Sequence, residues 1–280
     1  MTAEQHFLDL ISSTHKGPDG FIGSEGYSLP SLHDLARYDL AEIREGKVNN
    51  LEFEGRCGSG NAVYVPKKGL IRKAVIAASL KLENSCFVFD TDLTLSPKIA
   101  AHNSNQLAIF SGGIPTVGHG GKLVLTMFGK NQTFFWGRGS TTNGTQIQLC
   151  GDDRYIIVGD DCMFAHNIEV RTHDMHALIS MSDGKQQNYP ESILVEPHVW
   201  IGPQVSFGRG VTVGLGSVVG AKSYVSRNIP RFCVAAGLPA KVLKTDVSWD
   251  RKSFAEDGTY LHLQEMAKAI EDRTRTSDDW

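Results

Sequence analysis

Apolar positions recur at every sixth residue across the C-terminal half of the chain. Val195, Ile201, Phe207, Val213, Val219 and Val225 hold the register without a gap, and Gly202, Gly208, Gly214, Gly220 and Ser226 follow the last five. Four residues after each apolar position stands another small or β-branched residue: Val199, Val205, Val211, Ser217, Ser223 and Ile229. A helix repeats every 3.6 residues or so and a strand every second one, so neither explains the period. A coil with three flat faces does: each face is a short strand, its apolar residue points inward, and small residues permit the corners. A fixed-period repeat of this kind marks a solenoid, whose stacked coils bury a continuous core that no single coil could bury.

Upstream the rhythm loosens. Val158, Phe164 and Val170 keep the spacing of six. Before them, runs such as "NAVYVP", "SCFVFDTDLTL", "KLVLTMFG" and "TFFWGRG" are short β-prone segments bounded by Gly, Asn, Asp or Pro. They predict irregular coils of the same solenoid, with a separate β-sandwich over 50–150 as the competing reading. "ALISMSDGKQQNYPES", residues 177–192, interrupts the register and predicts a loop protruding from a corner. Leu32, Leu35, Leu40 and Ile43 predict a helix over 31–46 capped by Ser31, and Leu261, Met266 and Ile270 predict another over 259–273, with a loose tail after it. The chain thus divides into an N-terminal extension with a helix (1–50), a β-helix (51–232, irregular to about 155 and regular beyond it) and a C-terminal segment (233–280).

Composition narrows the function. Of 280 residues 41% are hydrophobic and 21% charged, and the 29 glycines suit a turn-rich fold. A net charge of −3 gives no reason to expect nucleic acid as a partner. No apolar run approaches the length of a membrane span, and the first residues carry no basic-then-apolar leader. Five scattered cysteines, Cys57, Cys86, Cys150, Cys162 and Cys233, with no CxxC, suggest buried thiols in a reducing cytoplasm.

"VEPHVWIGPQVSFGRGVTVGLGSVVGAKSYVSRNIPRFCVAAGLPAKVL", residues 195–243, resembles the hexapeptide-repeat acyltransferases. "GDDCMFAHNIEVRTHDMH" (159–176), followed by a loop and "HVWIG", is most similar to the bacterial capsular polysaccharide O-acetyltransferases, including those acting on sialic acid. The resemblance implies a mainly β fold, a left-handed parallel β-helix with short terminal helices. It also implies a homotrimer with active sites between subunits, acetyl-CoA as co-substrate, a glycan or polysaccharide acceptor, and no metal.

O-acetyl transfer needs a base that takes the proton of a sugar hydroxyl, and histidine suits that task near neutral pH. "RTHDMHAL" offers His173 and His176. His176 stands 24 residues before Trp200, the spacing at which the resembling families carry their catalytic histidine, so His176 is the expected base and His173 the rival or supporting residue. Asp174 or a backbone group could orient an imidazole. The resemblance puts Trp200 near the catalytic centre, against the pantetheine arm or a sugar ring. It carries acetyl-CoA contacts onto Pro203, Ala221, Ser226, Arg227, Lys241 and Lys244, the two lysines facing one phosphate. Asn143 is the expected hydroxyl-binding residue, and Tyr189 and Lys185 on the loop are further acceptor candidates. The plainer readings are coil packing for Trp200 and solvated surface roles for the histidines and lysines. Competing functions are acetylation of a small sugar or nucleotide sugar, a zinc solenoid of the γ-carbonic-anhydrase kind using His166, His173, His176 or His198, and a non-catalytic trimeric scaffold.

Overall fold

The computed structural model describes residues 1–280 except 13–20, 46–47, 70, 72, 94, 113–120, 255–258 and 278–280. Its strands form three sheets. Sheet I holds Leu35–Asp39, Ala62–Pro66, Cys86–Phe89, Gln106–Phe110, Gln132–Trp136, Tyr155–Val158, Ile193–Val195 and Thr212–Val213. Sheet II holds Leu51–Gly55, Ala74–Ala78, Ser96–Ala101, Lys122–Met127, Thr145–Leu149, Ile168–Arg171, Ser206–Phe207 and Tyr224–Val225. Sheet III starts later, with Thr141–Thr142, Met163–Phe164, Trp200–Ile201 and Val218–Val219, and ends in a hairpin of Cys233–Gly237 and Ala240–Thr245. Within each sheet neighbouring coils pair in parallel, and the hairpin and the Leu35–Asp39 edge are antiparallel. The strands between 62 and 149 pair in parallel too, as solenoid coils do and an antiparallel sandwich does not.

Stacked residues show why the rhythm is clear only at one end. Phe207 lies over Val225, 18 residues on, three hexads per coil. Ile76 lies over Ile99 and Ile147 over Val170, 23 residues apart in each case. Longer corners in these coils break the count of six while leaving the stacking intact. Phe89, Phe110, Phe134, Trp136, Phe164 and Phe207 form an aromatic column down the interior, neighbouring ring centres lying 5.2–6.5 Å apart. In the regular coils all six inward positions from Val195 to Val225 are buried. Four of them are followed by glycine, where the next coil approaches closely. A Cβ on Gly214 would lie 2.5 Å from the Arg231 nitrogen, and one on Gly202 2.8 Å from the Ala221 nitrogen.

The outer side of sheet I is covered as well. Helix α1 (Ala3–Ile11) and residues 21–35 pack Phe7, Leu10, Ile22 and Tyr27 onto Val88, Ile109, Phe135 and Ile157. Thr2 caps α1 by accepting from the Gln5 amide, and the bidentate Arg37–Glu4 pair and the Tyr64 hydroxyl fasten it to the first coils. Segment 31–46 is not a helix. It is a 3₁₀ turn (Leu32–Asp34), an edge strand (Leu35–Asp39) and a second 3₁₀ turn (Leu40–Glu45), residue 46 lying outside the described residues. Leu35, Leu40 and Ile43 are buried as predicted. Pairing with Ala62–Pro66 overrides the helical spacing because it closes the open end of sheet I. Helix α2 (Thr259–Ser277) packs Met266, Ala267 and Ile270 onto Leu215 and runs past residue 273, into what the sequence suggested was a loose tail. Among the described residues no helix is long and apolar enough to cross a membrane.

Candidate active site

Each regular coil runs sheet I, sheet III, sheet II, and so has three corners. The corner between sheets II and I carries residues 172–192, where the chain leaves the stack. Met175 adopts a left-handed backbone with φ 68° at the turn-out. Its amide donates to His173 Nδ1 at 3.0 Å, so the neutral His173 ring carries its proton on Nε2 and its lone pair is engaged. Asn188, fully buried, ties the loop base. Its side-chain amide donates to the His176 carbonyl (2.8 Å) and to Asp174 Oδ2 (2.9 Å), and its oxygen accepts from the Leu178 amide (2.7 Å). Asp174 also faces Arg209 Nη1 at 3.5 Å. Asp174 is therefore committed to Asn188 and Arg209, and what orients His173 is a backbone N–H. His176 itself is exposed. Lys185 and Tyr189 are exposed on the same loop, Lys185 beside Asp183 and the Tyr189 carbonyl accepting from Arg209. Ser226 and Arg227 lie exposed at this same corner, at the foot of the last coil.

The other predicted residues lie elsewhere. Asn143, Pro203 and Ala221 stack along the corner between sheets III and II, with His166 between the first two. Trp200 is on sheet III, its ring outward and 38% exposed, between Met163 and Val218. Val218 pairs with Val234, and Val234 with Lys244. Lys241 pairs with Ala236. Residues three apart on a regular strand face opposite ways. A β-bulge opposite Val234/Ala235 inserts one residue between the lysines, so both share the outer face of the hairpin with Val234 and Ala236. At about 4.8 Å per strand, the Lys244 position lies roughly 14 Å from Trp200 along one outward row.

In a triangular cross-section the II–I corner is the one opposite sheet III. One chain thus holds His173, His176, Lys185, Tyr189, Ser226 and Arg227 on one side, and Asn143, Trp200, Pro203, Ala221, Lys241 and Lys244 on the other. A cleft of about 200 Å³ at the loop foot is lined by Glu169, Arg171, Asp174 and Tyr224. A larger hollow of about 780 Å³ lies under α1 and touches none of the predicted site residues.

A cluster behind Trp200 was not foreseen. His198 stacks on Trp249 with ring centres 4.4 Å apart, and Trp249 lies 6.1 Å from Trp200. Asp161 accepts from His198 Nδ1 (2.6 Å) and from Arg251 Nε (2.6 Å). Burial would raise the Asp161 carboxyl, but the hydrogen bond from His198 and the nearby Arg251 charge outweigh it and hold it below the usual carboxylate range. His198 is spent on these contacts. Among the described residues no group of three or more His, Cys, Asp or Glu side chains gathers as a metal site would require.

The comparisons with known proteins fit this architecture. The crystal structure of the polySia-specific acetyltransferase NeuO superposes with a TM-score of 0.64, at 24% identity over 80% of this chain and 100% of that one. The chain has the left-handed parallel β-helix fold. The polysialic acid O-acetyltransferase OatWY shares the fold at a TM-score of 0.50, with 21% identity over 78% of this chain and 96% of that one. In sequence, the chain is 37% identical over 116 residues to a polysialic acid O-acetyltransferase of Escherichia coli O1:K1 / APEC. It is 36% identical over 62 residues to one of Neisseria meningitidis. These matches span 41% and 22% of this chain, and 38% and 29% of the two relatives' lengths. No protein-family model matches the chain.

Proposed function

We propose that the protein is an acetyl-CoA-dependent O-acetyltransferase acting on a sugar hydroxyl of a capsular or other surface polysaccharide. It would work as a homotrimer whose active sites lie between copies. The observation that carries this reading is the placement of Trp200, Lys241 and Lys244 on one outer face, opposite the corner bearing the histidines, in a chain similar to two polysialic acid O-acetyltransferases. One acetyl-CoA and one acceptor can meet both sets only where two copies face each other. The lysine pair supplies two ammonium groups for a 3′-phosphate, and the Trp200 ring a flat wall for the pantetheine arm or the sugar.

His176 is the base. His173 is disfavoured because its free lone pair is engaged by the Met175 amide. The His176 imidazole takes the hydroxyl proton as the sugar oxygen attacks the thioester carbonyl. The tetrahedral intermediate collapses to the acetyl ester, and the CoA thiolate leaves and recovers the proton. Such a base contributes about 10²–10⁴ in rate.

The test is CoA thiol release from acetyl-CoA by wild type and His176→Ala. The acceptors are sialylated and neutral polysaccharides, free hexoses and nucleotide sugars. Polymer-dependent release that falls at least about a hundredfold in His176→Ala supports the reading. Full activity in His176→Ala refutes the base, and release driven only by free sugars or nucleotide sugars refutes the polymer acceptor.

A further inference from the structure

The cluster behind Trp200 is built from parts far apart in sequence. Trp249 lies in the segment that crosses sheet III after the hairpin, and it is nearly buried. Its indole N–H and its carbonyl are both engaged. Its indole N–H donates to the His198 carbonyl (2.8 Å), and its own carbonyl accepts from His198 Nε2 (2.8 Å). Arg251, two residues on, donates to Asp161, to Thr141 Oγ1 (3.1 Å) and to the carbonyls of Gly139 (3.1 Å) and Cys162 (2.9 Å). Its guanidinium also sits 5.6 Å from the centre of the Trp249 ring.

His198 is held at both ring nitrogens, Nδ1 by the Asp161 carboxylate and Nε2 by the Trp249 carbonyl, and its ring lies flat on Trp249. This is a fully hydrogen-bonded clamp, the arrangement in which a charge set in a protein wall is tolerated. It holds the Trp249 ring in place, and an outward aromatic neighbour of that ring among the described residues is Trp200, at 6.1 Å and 48°.

We infer that Trp249, clamped by His198, Asp161 and Arg251, is a positioning residue: it is the wall that fixes the Trp200 ring for its role in the active site. This rests on the proposed function for what Trp200 does, but not for how it is held. The clamp accounts for why the C-terminal segment is bonded across three successive turns of the stack, at Gly139–Thr141, Asp161–Cys162 and His198.

The test uses the full chain labelled with 5-fluorotryptophan. There are four tryptophans, and Trp200→Phe assigns the Trp200 signal. In Trp249→Ala the Trp200 fluorine resonance is expected to move and change width, and in Trp249→Phe to stay close to wild type. The core residue Trp136 reports folding. If its signal is disturbed in Trp249→Ala, Trp249→Leu replaces that variant under the same criterion. An unmoved Trp200 signal in the folded variant overturns the inference. That readout needs no substrate, so it is separate from whether acetyl transfer occurs. With acetyl-CoA, Trp249→Ala is expected to raise KM about threefold to tenfold, with kcat changed by less than about twofold and KM restored in Trp249→Phe. A moved Trp200 signal with unchanged KM overturns the positioning role.

Discussion

Replacing Asn188 by alanine should disable the proposed acetyl transfer without touching any proposed reacting group. Its side chain makes three hydrogen bonds, to Asp174, the His176 carbonyl and the Leu178 amide, at 2.7–2.9 Å in a fully buried position. Each such bond is worth about 0.5–1.5 kcal/mol net, so the loop base loses about 1.5–4.5 kcal/mol. That is a shift of about tenfold to a thousandfold or more in the balance between docked and released loop. The coils beneath are held by their own ladders, so the global melting temperature should move little. Hydrogen exchange read by mass spectrometry is the direct assay. The Leu178, Gly184 and Gln187 amides, bonded within the loop, should lose protection by that factor, while amides of Ile193–Val195 keep theirs. Acetyl transfer should fall in parallel, because His173 and His176 hang from the same base. Unchanged loop exchange, or full activity with a released loop, would refute the idea that Asn188 presents the histidines.

Other expectations follow from single contacts. Lys241→Ala and Lys244→Ala should each raise the KM for acetyl-CoA by up to about fivefold, as the loss of an exposed charge pair does. The penalty should vanish with 3′-dephospho-acetyl-CoA, and a penalty that persists would remove the lysines from the phosphate site. Phe164→Ala, which empties the column between Trp136 and Phe207, should cost about 3–5 kcal/mol in denaturant unfolding; a loss under about 1 kcal/mol would mean the wide coils are loosely filled. Asp161 is ionised more readily in the fold than in the unfolded chain. Its contribution is therefore complete above the ordinary carboxylate range and lost as pH falls through its lowered pKa. The melting gap between wild type and Asp161→Asn should be flat from about pH 8 to 5 and close below about pH 4. A gap that widens in acid would contradict the clamp.

The sequence made the regular coils legible because there every turn is three hexads, and the inward apolar residues and the glycines that follow four of them answer to the same close stacking. The wide coils hid their period in longer corners, although another signal was present. "AVYVP", "CFVF" and "QLAIF" are continuous apolar runs, whereas "KLVLTM" and "TQIQL" alternate. Strands covered on both sides read as the first kind, and half-exposed strands as the second. That contrast foretells that α1 and residues 21–35 cover sheet I and leave sheet II bare. Helix α1 was not predicted, although Thr2 stands three residues before Gln5, the spacing of a capping box, and accepts from its amide. Residues 31–46 misled because turn, strand and turn buried Leu35, Leu40 and Ile43 at intervals that imitate a helix. The clamp at Trp249 had no sequence signal, since Asp161, His198 and Arg251 come from three separate turns. The candidate site was named largely residue by residue through family resemblance. That its parts fall on opposite sides of one chain could come only from knowing which corner each occupies.

That division gives the most direct test. At acetyl-CoA well below KM, His176→Ala and the double variant Lys241→Ala/Lys244→Ala are each expected to lose most of the activity alone. Co-expressed with different affinity tags and purified through both, they form mixed assemblies. If active sites lie between copies, some interfaces join an intact His176 to an intact lysine pair, and acceptor-dependent CoA release returns to a sizeable fraction of wild type. If the mixed assemblies stay as inactive as their parents while wild-type copies tagged and purified the same way are active, each chain holds its own site, and the shared-site account is wrong.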